Sequence, residues 1–226
     1  SVGFIGFNDA YGESWIKVMT PLAEAAGIKV VASERFQRTD SSVPGQILRL
    51  LAANPEAVFI AASGTPAALP QTTLAERGYK GIVYQTHGVA NNDFLRVGGK
   101  ALEGTFVPAG PVLVAEQLPD SHPAKAPGLD FIKRYEAIPG AGARSTFAAY
   151  LWDSQLILSA AIAKAKEKAK PGTEAFRLAL RDTIEATRDI AGPNGVYNMS
   201  PTDHLGLDGR AAVMTQIVDG KWRLVP

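Results

Sequence analysis

Short, uninterrupted apolar runs alternate with longer amphipathic stretches over the first half of the chain. The runs at 2–7, 28–33, 57–62, 82–84 and 105–107 are dominated by Val, Ile and Phe, with little polar alternation. Continuous runs of this kind suit parallel strands buried on both faces. Between them lie 13–26, 43–53, 66–77 and 92–97, which read as helices. Ser42 followed by Pro44 marks a helix start, and Gly27 and Gly78 mark helix stops. Pro21 falls inside the first helical stretch and is expected to kink or break it. The order β-α-β-α-β-α-β-α-β predicts an α/β fold built on a doubly wound parallel sheet.

The pattern changes at Gly110. Pro111, Pro119, Pro123 and Pro127 with few strand formers predict a linker or crossover. Helices are expected at 129–138, 145–168 and 174–186. In the long one, Phe147, Leu151, Ile157 and Ile162 are expected to line an apolar side, while Lys164, Lys166, Lys168 and Lys170 form a solvated end. Gly192-Pro193-Asn194-Gly195 reads as a turn, and 211–218 and 222–225 as a closing hairpin around Asp219-Gly220. The organisation expected is a Rossmann-like lobe at 1–110, completed by about 205–226, with 111–204 as a crossover and helical segment of another, partial lobe.

Charge narrows the partners. The 226 residues hold 23 Lys and Arg against 22 Asp and Glu, a formal net of +1, which excludes a surface built throughout for polyanions and argues against nucleic acid. The absence of cysteine excludes disulfides, thiolate metal sites and cysteine nucleophiles, and leaves the redox compartment open. No apolar run approaches the roughly 20 residues of a membrane helix. The opening residues read directly as a strand rather than a targeting peptide, as in a trimmed or partial chain.

Ligands of open parallel sheets bind at the carboxyl ends of the strands. Those ends carry Asn8-Asp9-Ala10-Tyr11-Gly12, Phe36-Gln37-Arg38, Ser63-Gly64-Thr65-Pro66 and Gln85-Thr86-His87-Gly88. Taken singly, Asn8, Asp9, Ser63 and Thr65 are helix caps; polar groups recurring on one edge make that edge a ligand surface. Enzyme signatures are missing: there is no G-x-G-x-x-G after the first strand, no Walker loop, no H-E-x-x-H and no G-x-S-x-G. Asp9, Ser63 and His87 supply hydrolase residue types without the nucleophile elbow. His87, His122 and His204 lack metal-ligand spacing, so neither a metal nor a cofactor is expected.

Several segments, in collinear order, carry a resemblance: 8–13, 88–91, 101–105, 147–153, 191–195 and 218–222. Together they resemble type I periplasmic solute-binding proteins of ABC importers, specifically the leucine/isoleucine/valine-binding branch. The resemblance begins at the second lobe and lacks most of the first, which implies a fragment or one product of a split chain. A complementary chain supplying the missing lobe then becomes an expected partner, together with a small organic ligand and a membrane permease. It also implies an extracytoplasmic, periplasmic location and a clamp that closes by hinge motion.

By resemblance, Tyr11 corresponds to the aromatic covering the ligand, and Ser63 with Gly64 to the ligand-facing loop after the third strand. His87 stands where amino-acid binders place an acidic residue. Phe147 corresponds to a pocket wall, and reads equally as a core aromatic. The reading is a non-catalytic solute-binding protein for an aromatic or keto carboxylate rather than an α-amino acid. The alternatives are a hydrolase-like enzyme using Ser63 and His87, and a ligand-sensing lobe of a receptor or regulator.

Overall fold

Five strands pair in parallel in the sheet of the first unit: β1 (Val2–Phe7), β2 (Val30–Phe36), β3 (Ala57–Ala61), β4 (Ile82–Gln85) and β5 (Phe106–Ala109). An antiparallel hairpin, β8 (Val213–Val218) and β9 (Lys221–Leu224), extends the sheet to the order β2-β1-β3-β4-β5-β8-β9. β1 lies inside the sheet, between β2 and β3, and all six of its residues are buried, as its unbroken apolar run requires. Strand order reverses between β1 and β3, so the loops leaving those two strands diverge there and open a crevice. The computed structural model describes all 226 residues. They form two compact units, Ser1–Pro108 with Met214–Pro226, and Ala109–Val213.

In the first unit the crossovers are α1 (Ala10–Ala25), α2 (Pro44–Ala52), α3 (Ala68–Glu76) and α4 (Asn92–Gly98). Contrary to expectation, α1 runs unbroken past Pro21. Pro21 and Lys17, whose carbonyl loses its donor, are both exposed, so water takes the missing bond. β2 starts and ends later than the apolar run at 28–33. It is an edge strand, and Glu34 and Arg35 are accommodated by ion pairs to Arg49 and Glu13. Ser42 is not a cap: Val43 holds that position without a side-chain hydrogen bond, and Pro44 alone sets the first turn. At the closing hairpin, Asp219 and Gly220 have φ of 53° and 65°, the pair of positive values a type I′ turn needs.

The second unit holds α5 (Lys125–Tyr135), α6 (Thr146–Lys168), α7 (Glu174–Glu185) and a two-stranded hairpin of β6 (Ile190–Gly192) and β7 (Gly195–Tyr197). Residues 111–117, read from their prolines as a linker, are a 3-10 helix with Pro111 to Ala115 buried. The apolar Val112-Leu113-Val114-Ala115 within it outweighs the flanking prolines. The expected apolar side of α6 is also corrected. The helix buries Ala149, Asp153, Ile157, Ala161 and Ala165, whereas Phe147 is 45% and Leu151 76% exposed. Ile157 of the expected side is buried as predicted, while Phe147, Leu151 and Ile162 stay outside.

Candidate functional site

The rim of the first unit is built by four loops at the carboxyl ends of β1 to β4. Asp9 caps α1, its Oδ1 accepting from the amides of Tyr11 at 2.9 Å and Gly12 at 3.2 Å. Its Oδ2 accepts from Arg38 Nε at 2.6 Å, and Arg38 Nη1 donates to Ser63 Oγ at 3.2 Å. Arg38 therefore spans the switch point, from the loop after β1 to the loop after β3. Its guanidinium lies 4.1 Å from the centre of the Phe7 ring and 5.9 Å from that of Tyr11, within cation–π range of both.

Tyr11 reaches across to the β4 loop, with its hydroxyl 2.8 Å from Thr86 Oγ1. Thr86 spends its one proton on the carbonyl of Ala62 at 2.7 Å. Tyr11 must then be the donor to Thr86, which leaves the phenolic oxygen free to accept. Two glycines let the loops come this close. A Cβ on Gly88 would lie 2.7 Å from both Ser63 Cβ and the Tyr11 hydroxyl. Gly64 has φ 62° and ψ −160°, a conformation open essentially only to glycine, and its amide donates to the Gly88 carbonyl at 2.9 Å.

Electrically the rim is balanced. Partial desolvation pushes the Asp9 carboxyl up, but the hydrogen bond and charge of Arg38, with the Gly12 and Tyr11 amides, outweigh it and hold the group below its ordinary 3.8. Asp9 and Arg38 thus neutralise each other. His87 lies against Trp15, ring centres 6.1 Å apart, and desolvation lowers its pKa, so the imidazole is neutral at pH 7. The rim presents this ion pair, with the Arg38 side chain 48% exposed, beside uncharged donors and acceptors and aromatic rings.

Four expected site residues, Tyr11, Ser63, Gly64 and His87, come together here. Phe147 belongs to the second unit, on the first turn of α6. Asp9 is a cap as expected, but Ser63 is not: its hydroxyl serves Arg38. The triad geometry is also missing, since Ser63 meets Arg38 rather than His87. Sequence reasoning placed Arg38 and Thr86 on the rim without giving either a role, and did not single out Trp15. Arg38 is the one Lys or Arg in the four rim loops, and that was the available signal.

An open α/β unit with a polar rim at its switch point has the form of a ligand-binding lobe. A model of the periplasmic binding protein family matches residues 1–221, and the chain belongs to that family. Rp1789 of Rhodopseudomonas palustris (strain CGA009) is 48% identical, with a TM-score of 0.95 over 100% of this chain and 63% of that one. An extracellular ligand-binding receptor from Rhodopseudomonas palustris HaA2 is 46% identical, again with a TM-score of 0.95, 100% of this chain and 63% of that one. The leucine binding protein LivK of Thermotoga maritima, at 18% identity and a TM-score of 0.77, covers 99% of this chain and 59% of its own, and shares the fold. The chain spans less than two thirds of the length of these relatives. No curated protein sequence matches it. Members of this family bind ligands and are not enzymes.

Tyr11 offers a direct test of the rim. Tyr11→Phe keeps the ring contacts with Phe7 and Trp15 and removes only the hydroxyl. Ligand binding is expected to weaken by about 1 kcal/mol, roughly fivefold, with a similar or smaller loss of stability. Calorimetric titration with 4-hydroxybenzoate, beside a thermal melt, reads both. Undiminished binding would exclude the hydroxyl from the site.

Proposed function

We propose that the protein is an extracytoplasmic solute-binding protein that delivers a small organic ligand to the membrane permease of an ABC importer, and that the ligand is an aromatic or keto carboxylate rather than an α-amino acid. The observation carrying this reading is the convergence of Tyr11, Ser63 and Gly64 on a charge-balanced rim at the switch point, with His87 in the loop after β4 against Trp15. A bound ammonium needs an anion beside it, because a desolvated cation without a partner is heavily penalised. Asp9 is committed to Arg38 and to capping α1, and a neutral His87 offers a hydroxyl, carbonyl or carboxylate a better partner.

Family membership supports the periplasmic location and the permease. A complementary piece of the fold would supply the rest of the clamp, with Phe147 as a wall of the closed pocket. The exposed Phe147, Leu151, Leu158 and Ile162 of α6 give that piece an apolar surface to cover.

Calorimetry on the completed protein, comparing benzoate, 4-hydroxybenzoate and phenylpyruvate with leucine, isoleucine and valine, tests the ligand class. An aromatic or keto acid is expected to bind at least tenfold tighter than any of the amino acids, and to be recovered unchanged. His87→Ala is expected to weaken it about fivefold, a loss of about 1 kcal/mol. Tight binding of an amino acid, undiminished by His87→Ala, would overturn both the ligand class and the role of His87; turnover of the acid would point instead to an enzyme.

A further inference from the structure

The backbone donors of the rim are largely spent on the protein itself. The amides of Tyr11 and Gly12 donate to Asp9 Oδ1, that of Gly64 to the Gly88 carbonyl, and that of Gly88 to Thr86 Oγ1 at 3.3 Å. The positive end of α1 is thereby met from within by a carboxylate. Arg38 is different. Of the N–H groups of its guanidinium, the protein engages the one at Nε, through Asp9, and one at Nη1, through Ser63. The second hydrogen of Nη1 and both of Nη2 have no acceptor in the protein, and the side chain is 48% exposed.

This cation is fixed in place before any ligand arrives. The fully buried Phe7 ring lies 4.1 Å from it, and Asp9 and Ser63 hold it from two different loops. A guanidinium already ordered by stacking and hydrogen bonds loses little freedom on binding. Ser63 Oγ accepts from Arg38 and keeps its own proton to donate beside it. Asp9 meets the guanidinium only at Nε, with one oxygen, so it leaves Nη2 unoccupied. A planar fork with a hydroxyl next to it matches the two oxygens of a carboxylate.

We propose that Arg38, through Nη2 and with the Ser63 hydroxyl beside it, binds the carboxylate of the ligand and makes the site select an acid over its neutral amide. This rests on the reading that the ligand is an aromatic or keto carboxylate, and assigns its charged end to one residue. No other Lys or Arg stands in the four rim loops. Asp9 then works against the ligand: its charge, on the same guanidinium, repels an incoming carboxylate and moderates the affinity.

Calorimetric titration of the full-length protein with 4-hydroxybenzoate and 4-hydroxybenzamide separates charge from shape, and phenylpyruvate with its amide forms a second pair for a keto acid. In at least one pair the acid is expected to bind roughly tenfold tighter than its amide, or more. Arg38→Gln is expected to abolish that preference, weakening the acid roughly tenfold and the amide less than about twofold. Arg38→Lys keeps the charge without the fork and is expected to stay roughly fivefold weaker for the acid than the parent. Asp9→Asn keeps an oxygen to cap α1 and is expected to bind the acid about threefold tighter, with the amide unchanged. Thermal melts without ligand show that each variant is folded. An acid preference that survives Arg38→Gln would overturn the assignment and leave the ligand class standing. Equal loss of acid and amide, or full rescue by Arg38→Lys, would overturn it in the same way. Failure of both acids to bind, or an amino acid such as leucine bound tighter than either, would overturn the ligand class and the proposal with it.

Discussion

Gly12→Ala is expected to destabilise the first unit by 3 kcal/mol or more, enough to take a marginally stable domain close to unfolding at 37 °C. The reason is backbone on backbone. A Cβ at position 12 would overlap the carbonyl oxygen of Phe7 and lie 2.8 Å from the Phe7 nitrogen. Neither atom belongs to a side chain that turns aside: Phe7 ends the fully buried strand β1, and Gly12 sits in the first turn of α1, held by its bond to Asp9. The helix would have to lift off the strand, carrying Tyr11 away from Thr86 and opening the rim. Gly45→Ala, in the first turn of α2, is the control. There the nearest atom to a new Cβ is Arg49 Nη1 at 3.6 Å, so better helix propensity should leave stability unchanged or raise it by up to about 1 kcal/mol. Urea denaturation of both variants measures the contrast; a Gly12→Ala protein as stable as the parent would show that the strand–helix junction is softer than its geometry.

That glycine explains how a short sequence signal marked the junction of strand and helix. Tyr11-Gly12 was legible as a motif because two physical demands fall on adjacent residues: an aromatic that crosses to the β4 loop, and a residue without Cβ where helix meets strand. Gly64 and Gly88 were legible on the same grounds. The parallel sheet was readable from β1, β3 and β4, whose runs are continuously apolar, although only β1 is buried along its whole length. β2 was misplaced because an edge strand tolerates Glu34 and Arg35 once each finds an ion partner, and no local pattern announces partners 15 and 22 residues away. Arg38 was given no role for the same cause: its importance arises from Asp9 and Ser63, 29 and 25 residues distant. On α6 the expected apolar side was right at Ile157 and wrong at Phe147, Leu151 and Ile162, because hydrophobicity alone does not register that Ala149, Ala161 and Ala165 take the buried face.

Asp153→Ala is expected to cost the second unit about 3 kcal/mol. Asp153 is 1% exposed at the middle of α6. Its Oδ2 accepts from Asn194 Nδ2 at 2.9 Å and from the Tyr197 hydroxyl at 2.8 Å. Asn194 is the second residue of the tight turn between β6 and β7, so the carboxyl fastens that hairpin to the helix. Removing it strands two buried donors. Burial pushes the Asp153 pKa up, more strongly than the bonds from Tyr197 and Asn194 pull it down, so the folded value lies above the ordinary 3.8. A raised folded-state pKa fixes the sign of the pH dependence. The proton-linked stabilisation is complete below about 3.8 and is lost as pH rises through the folded value, because the folded state must then bury a charge. Asp153→Asn keeps an oxygen for both donors and cannot ionise. Its stability relative to the parent should therefore improve from pH 4 to pH 8, whereas the deficit of Asp153→Ala should shrink over the same range without vanishing, since the stranded donors remain at every pH. Urea denaturation of the three proteins across that range provides the test, and a parent-minus-Asn difference independent of pH would show that Asp153 has the same pKa folded and unfolded.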